Sequence, residues 1–123
     1  MSDQIFVAQS SVIRRLASRG PCVIVGRCAD MVLEDSINIF VYAKMKNRIR
    51  RLMELESGSD EKEMERRIRE VDRKRKDYYQ YYTGNAWGRA QNYHLCVESG
   101  LVGVDGCLRA VMAYLKEYTS EIG

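Results

Sequence analysis

Three short apolar runs constrain this chain more than any other feature: residues 22–25 (CVIV), 37–43 (INIFVYA) and 93–98 (YHLCVE). Each is too short for a buried helix, and their β-branched and aromatic content suits strands. Run 22–25 is apolar without alternation, as expected of a strand covered on both faces of a parallel sheet. No tight hairpin turn joins one run to the next, and helical sequence intervenes, so the pattern predicts parallel strands linked by crossovers. The fold class that follows is α/β, a parallel sheet flanked by helices.

The intervening segments carry helical periodicity. In residues 3–19, Ile5, Ala8, Val12 and Leu16 form one stripe, widened by Ile13 and Ala17, and Gly20-Pro21 ends it. Residues 28–34 form a short amphipathic turn. Residues 44–55 place Ile49, Leu52 and Met53 inward. Asp60, with Glu63 three residues on, has the spacing of a capping box for a long charged helix ending at Thr83-Gly84. Its apolar stripe is thin: Met64, Ile68, Val71, Tyr78 and Tyr82. Residues 85–92 form a loop holding Trp87. Asp105 is placed to cap a last helix with Leu108, Val111, Met112, Leu115 and Tyr118 as its core face.

The 123 residues fit one domain, large enough for a core without staples. No apolar run reaches the roughly 18 residues of a membrane span. MSDQIF lacks the basic flank and apolar stretch of a signal peptide, so a soluble cytoplasmic domain with no membrane partner is expected. The four cysteines have no C-x-x-C spacing and His94 is the one histidine, which predicts reduced thiols and no metal site. The net charge of +3 is concentrated: residues 44–76 carry 13 basic and 8 acidic side chains, whereas the remainder is net negative. A local positive surface of this kind suits phosphate groups.

Three places carry candidate chemistry. At the end of the first run, Gly26 allows a sharp turn at the carboxyl edge of a sheet, where ligands bind. Arg27 could there fork onto a phosphate, with Asp30 one turn later; an ordinary turn with solvated side chains has the same spacing. In the long helix, Arg69, Asp72 and Arg75 recur every three residues, with Arg66 a turn earlier. The acid could hold two guanidiniums for a polyanion, or the run could be a solvated face. Tyr78, Tyr79, Tyr81 and Tyr82 could stack on a base, although packing against a neighbouring element is the commoner use. After the second run, Arg48 and Arg51 share a helix face and could lie on a purine, or simply solubilise the helix. Trp87 more often pins a loop than binds a ligand, and a lone His94 in a strand is more often packed or exposed than catalytic.

Together, GPCVIVGRCADMVL, NIFVYAKMKNRIRRLME, the Asp72-x-x-Arg75 helix with its DYYQYYTGNAWG ending, and YHLCVESGLVGVDG resemble the cytidylate kinase-like family of nucleoside monophosphate kinases. The likeness runs from about Phe6 to Tyr118. It implies a P-loop kinase fold of three α/β/α layers in one domain over residues 1–123, with a lid-like helical segment over about residues 60–90. It further implies transfer of the γ-phosphoryl of ATP to CMP or dCMP with Mg²⁺. By that resemblance Gly26, Arg27 and Asp30 bind the acceptor nucleotide, and Arg69, Asp72 and Arg75 form the catalytic lid. Arg48, with Arg51 beside it, meets the ATP base.

The chain contains no G-x-x-x-x-G-K-[ST] and no Gly-Lys pair. In the family that loop, which supplies the Mg²⁺ ligand, precedes the helix with which this sequence opens. Its strand lies between those resembling residues 22–25 and 37–43. The resemblance therefore implies the C-terminal two-thirds of a kinase, incomplete at the N-terminus and inactive alone. Without that strand, either the first two strands pair directly or a gap is left for another chain, and a homodimer or aggregation is expected. The alternative reading is a non-catalytic nucleotide- or RNA-binding module using residues 44–76, although nucleic acid is not the partner the composition favours.

Overall fold

The structure, a computed structural model, describes residues 3–26, 28–58 and 60–122. Helix α1 (Asp3–Ser18) is followed by the four-residue α2 (Ala29–Val32), strand β1 (Ile39–Tyr42) and helices α3 (Met45–Leu55) and α4 (Glu61–Thr83). A 3₁₀ turn at Ala90–Asn92 leads into β2 (Leu95–Glu98), which runs directly into α5 (Ser99–Ile122). The class is α/β, as expected, with a two-stranded parallel sheet in register Ile39 to Leu95 through Tyr42 to Glu98. No described helix is long and apolar enough to cross a membrane.

Residues 22–25 are not a strand. They have no ladder partners among the described residues, and Val23 and Val25 are 94% and 88% exposed. Strand propensity needs a neighbour to act on, and among the described residues β1 bonds only to β2. The first two runs therefore do not pair directly. The other two runs are strands, trimmed by one to two residues at their ends. His94 lies just before β2 and has a structural use. The Asn38 amide donates to its Nδ1 at 2.9 Å, while Asn38 oxygen accepts from the His94 amide at 2.7 Å, fastening the two strand starts.

Capping shapes α4 as expected at both ends. Asp60 Oδ1 accepts the Glu63 amide at 2.8 Å. Glu63 does not reach back to complete a capping box; its carboxylate takes Arg66 instead. Gly84, at φ 74°, closes the C-terminus with its amide on the Gln80 oxygen. The last helix starts at Ser99, earlier than the Asp105 cap predicts, and breaks at Gly103, whose φ of 71° and ψ of −174° only glycine adopts without strain.

The buried apolar side chains are Met64, Ile68 and Tyr79 of α4, Ile13 of α1, Cys28, Val97 of β2 and Cys107 of α5. Two predicted core stripes reach this core only in part, through Ile13 and Ala17 of α1 and Val111 and Leu115 of α5. On α1 the packed line is Phe6, Ser10, Ile13 and Ala17, about 100° round from Ile5, Val12 and Leu16, which are exposed. On α5, Leu108, Met112 and Tyr118 face solvent while Cys107, Val111, Tyr114 and Leu115 turn inward. The accessible surface is 9367 Å². A folded monomer of 14.2 kDa is expected to show about 6,800 Å². Exposed large apolar side chains, among them Val23, Val25, Leu55 and Leu101, are part of that surface.

Candidate functional site

One stripe of α4 organises the candidate residues. Ile68, Asp72, Arg75 and Tyr79 recur at four-, three- and four-residue steps, the spacing of a single helix face. Ile68 is buried in the core, which turns the rest of the stripe toward α3 and α2.

Asp72 is met from α3. Arg48 donates Nη1 to Oδ2 at 2.5 Å and Nη2 to Oδ1 at 2.8 Å, a bidentate fork between two half-buried side chains. The fork raises the pKa of Arg48 above its ordinary value, chiefly through that hydrogen bond. Arg75 adds a longer contact, Nη1 to Oδ1 at 3.7 Å. Asp72 thus gathers two guanidiniums, but they are Arg48 and Arg75, not Arg69 and Arg75. Three-residue steps fall about 60° short of a turn each, so Arg69 stands about 120° round from Arg75. It pairs with Glu65 at 3.2 Å and shares an open groove with Arg66, Glu70 and Arg73.

Arg51 is used elsewhere. Its guanidinium donates to Ser99 Oγ at 3.0 Å and to the Ser99 oxygen at 2.7 Å. Ser99 is buried, and its hydroxyl donates to the Tyr42 oxygen at 3.3 Å, so Arg51 ties α3 to the carboxyl ends of both strands. Next to it, Glu98 accepts the Gly100 and Leu101 amides at 2.8 and 2.9 Å. The amides of Leu101 and Gly100, then Lys44, hold its carboxyl below the ordinary range.

The turn after residues 22–25 is left-handed at Gly26 (φ 71°) and Cys28 (φ 56°), the latter unusual for a residue with a Cβ. Arg27, the predicted phosphate ligand, lies outside the described residues. Cys28 is buried, which together with Asp30 pushes its thiol up to about 11. Such a thiol is protonated and inert at neutral pH. Asp30, in the first turn of α2, accepts the Tyr79 hydroxyl on Oδ2 at 2.6 Å. Burial first, then the bond to Asp30, raises Tyr79 far above the usual tyrosine range.

Two of the other α4 tyrosines pack on α1, while Tyr81 is 71% exposed. Tyr82 stacks on Phe6 of α1 with ring centroids 4.0 Å apart, and Tyr78 meets the same ring edge-on at 6.3 Å. Trp87 sits edge-on to Phe40 at 5.4 Å and so pins its loop to β1. Tyr79 and Tyr93 were not singled out individually by the sequence. The signal for Tyr79 was its position, seven and four residues after Asp72 and Arg75.

A magnesium ion does not fit these residues. Both Asp72 oxygens are engaged by Arg48 and one Asp30 oxygen by Tyr79, and no group of three or more potential metal-ligating side chains forms among the described residues.

The cytidylate kinase-like family profile matches residues 1–101. The chain belongs to that family. Its fold is similar to the crystal structure of an uncharacterized protein from Eubacterium ventriosum ATCC 27560, with a TM-score of 0.87 at 31% identity. The match covers 94% of this family member and 66% of the other chain, so the present chain spans just under two thirds of that length. No curated protein matches it.

Proposed function

We propose that this chain is the acceptor- and lid-bearing part of a three-layer, P-loop-type nucleoside monophosphate kinase acting on CMP or dCMP with ATP. One observation supports the reading above all. A single face of α4 reaches Arg48 through Asp72 at one end and the turn at Gly26 and Asp30 through Tyr79 at the other. In phosphoryl transfer an acceptor phosphate oxygen bonds to the γ-phosphorus, the bond to the β-γ bridging oxygen breaks, and ADP leaves. The protein's work is positioning and charge neutralisation. Here Arg27 would hold the acceptor phosphate. Arg75, oriented by Asp72, would meet the transferring group, and Arg69 would join it on lid closure. The donor-side loop and its Mg²⁺ ligand are not built by these residues, so the chain alone is expected to bind nucleotide without turnover.

The test is ligand-linked melting. A ligand hundredfold above its Kd stabilises the native state by about 2.7 kcal/mol. CMP should raise the Tm by several degrees, and Arg27→Ala should abolish the rise with the unliganded melt unchanged. No rise with CMP, or an equal rise in Arg27→Ala, overturns the acceptor-site reading.

A further inference from the structure

The turn that carries Cys28 and Asp30 is poorly equipped to hold itself. Helix α2 has four residues, fewer than an isolated helix needs to persist, and Cys28 stays left-handed despite its Cβ. Its anchors come from elsewhere in the chain: the packing of α1 against α2, the burial of Cys28, the Asn85 side-chain nitrogen 3.6 Å from the Met31 sulfur, and the hydroxyl of Tyr79. Tyr79 is 5% exposed, so its ring is fixed by the core and its hydroxyl is aimed at Asp30. The Tyr79 bond thus joins α4 directly to α2.

We propose that Tyr79 is a positioning residue: its hydroxyl holds the Cys28–Asp30 turn in the arrangement that receives the acceptor nucleotide and links that turn mechanically to α4. This rests on the acceptor-site reading above. Packing alone needs the ring and not the hydroxyl, so Tyr79→Phe isolates the proposed role.

Hydrogen exchange and CMP calorimetry on the full chain decide it. The Met31 and Val32 amides donate to the Cys28 oxygen at 3.0 and 3.2 Å, and the Leu33 amide to Ala29 at 3.0 Å. Tyr79→Phe should speed exchange of these three amides about tenfold and weaken CMP binding about tenfold, the scale of one charged hydrogen bond. Exchange across residues 61–75 should not change. Tyr78→Phe, whose hydroxyl lies 3.5 Å from Gln9 on α1, should leave both readouts unaltered. Asp30→Ala removes the acceptor of the same bond and should reproduce the faster exchange at residues 31–33, the readout that covers the case in which Tyr79→Phe fails to fold. Unchanged exchange at residues 31–33 overturns the proposal, and so does faster exchange with undiminished CMP affinity. If the unaltered chain does not bind CMP, the acceptor-site reading fails, and the exchange result alone decides whether the hydroxyl holds the turn.

Discussion

A carboxylate accepting two backbone amides prefers its charged form, and Glu98 does so at the end of β2. Its folded pKa lies below the ordinary 4.5, so its contribution to stability is present above that value and disappears as pH falls through the folded pKa. Glu98→Gln should therefore lower the urea midpoint at neutral pH while changing little in acid, which flattens the acid limb of a midpoint-against-pH curve; an unaltered acid limb removes Glu98 from the account. Ser10 shows the opposite situation. Its hydroxyl is buried on the packed face of α1 with no hydrogen-bond partner among the described residues. Burying an unpaired hydroxyl costs about 1–3 kcal/mol, so Ser10→Ala should stabilise the fold by about 1 kcal/mol in denaturant melts. A destabilised variant would mean the hydroxyl has a partner after all.

At the scale of the element, α4 is a charged helix whose two ends are held differently. Its middle is tied to α3 through Asp72, and its C-terminal half packs Tyr78 and Tyr82 on Phe6. Between them, Arg73, Lys74, Arg75 and Lys76 are exposed like charges that a polyphosphate would neutralise. ATP or a bisubstrate dinucleotide should slow amide exchange across residues 66–82, less so at high salt. Arg75→Ala should diminish that protection far more than Lys74→Ala. Arg75 stands on the stripe with Asp72, whereas Lys74 turns toward Glu70 at 3.8 Å. Equal losses would make the helix a diffuse positive surface and remove the lid role.

For the whole molecule the decisive quantity is uncovered apolar area. The total accessible surface exceeds that expected of a monomer of this mass by about 2,600 Å², and exposed apolar side chains contribute to it. They include Val23 and Val25, Ile5, Val12 and Leu16 of α1, and Leu101, Leu108 and Met112 around α5. The chain by itself should associate in a concentration-dependent way in sedimentation velocity, and Val23→Asp with Val25→Asp should weaken that association. A sharp monomer peak with a cooperative melt would overturn this expectation. The same surface fits the length comparison, in which a third of the related crystal structure has no counterpart in this chain.

Local chemistry decided what could be read without coordinates. Asp60 and Gly84 bound α4 because a cap needs only a side-chain oxygen and a φ above zero within a few residues. The parallel pairing of β1 and β2 follows from their lack of a tight hairpin turn, and the clustered arginines mark the phosphate-suited surface. Tertiary structure decided the partners. Residues 22–25 have the composition of a strand, but a ladder requires a neighbour and none is present among the described residues. The stripe of Ile5, Val12 and Leu16 has helical spacing, but spacing does not say which stripe finds a surface to pack on. Arg48 and Asp72 are 24 residues apart and Asp30 and Tyr79 are 49 apart. Periodicity cannot choose between charged or aromatic residues on one helix at such separations. Only the docking of α4 against α2 and α3 selects Asp72, Arg75 and Tyr79 from among their neighbours.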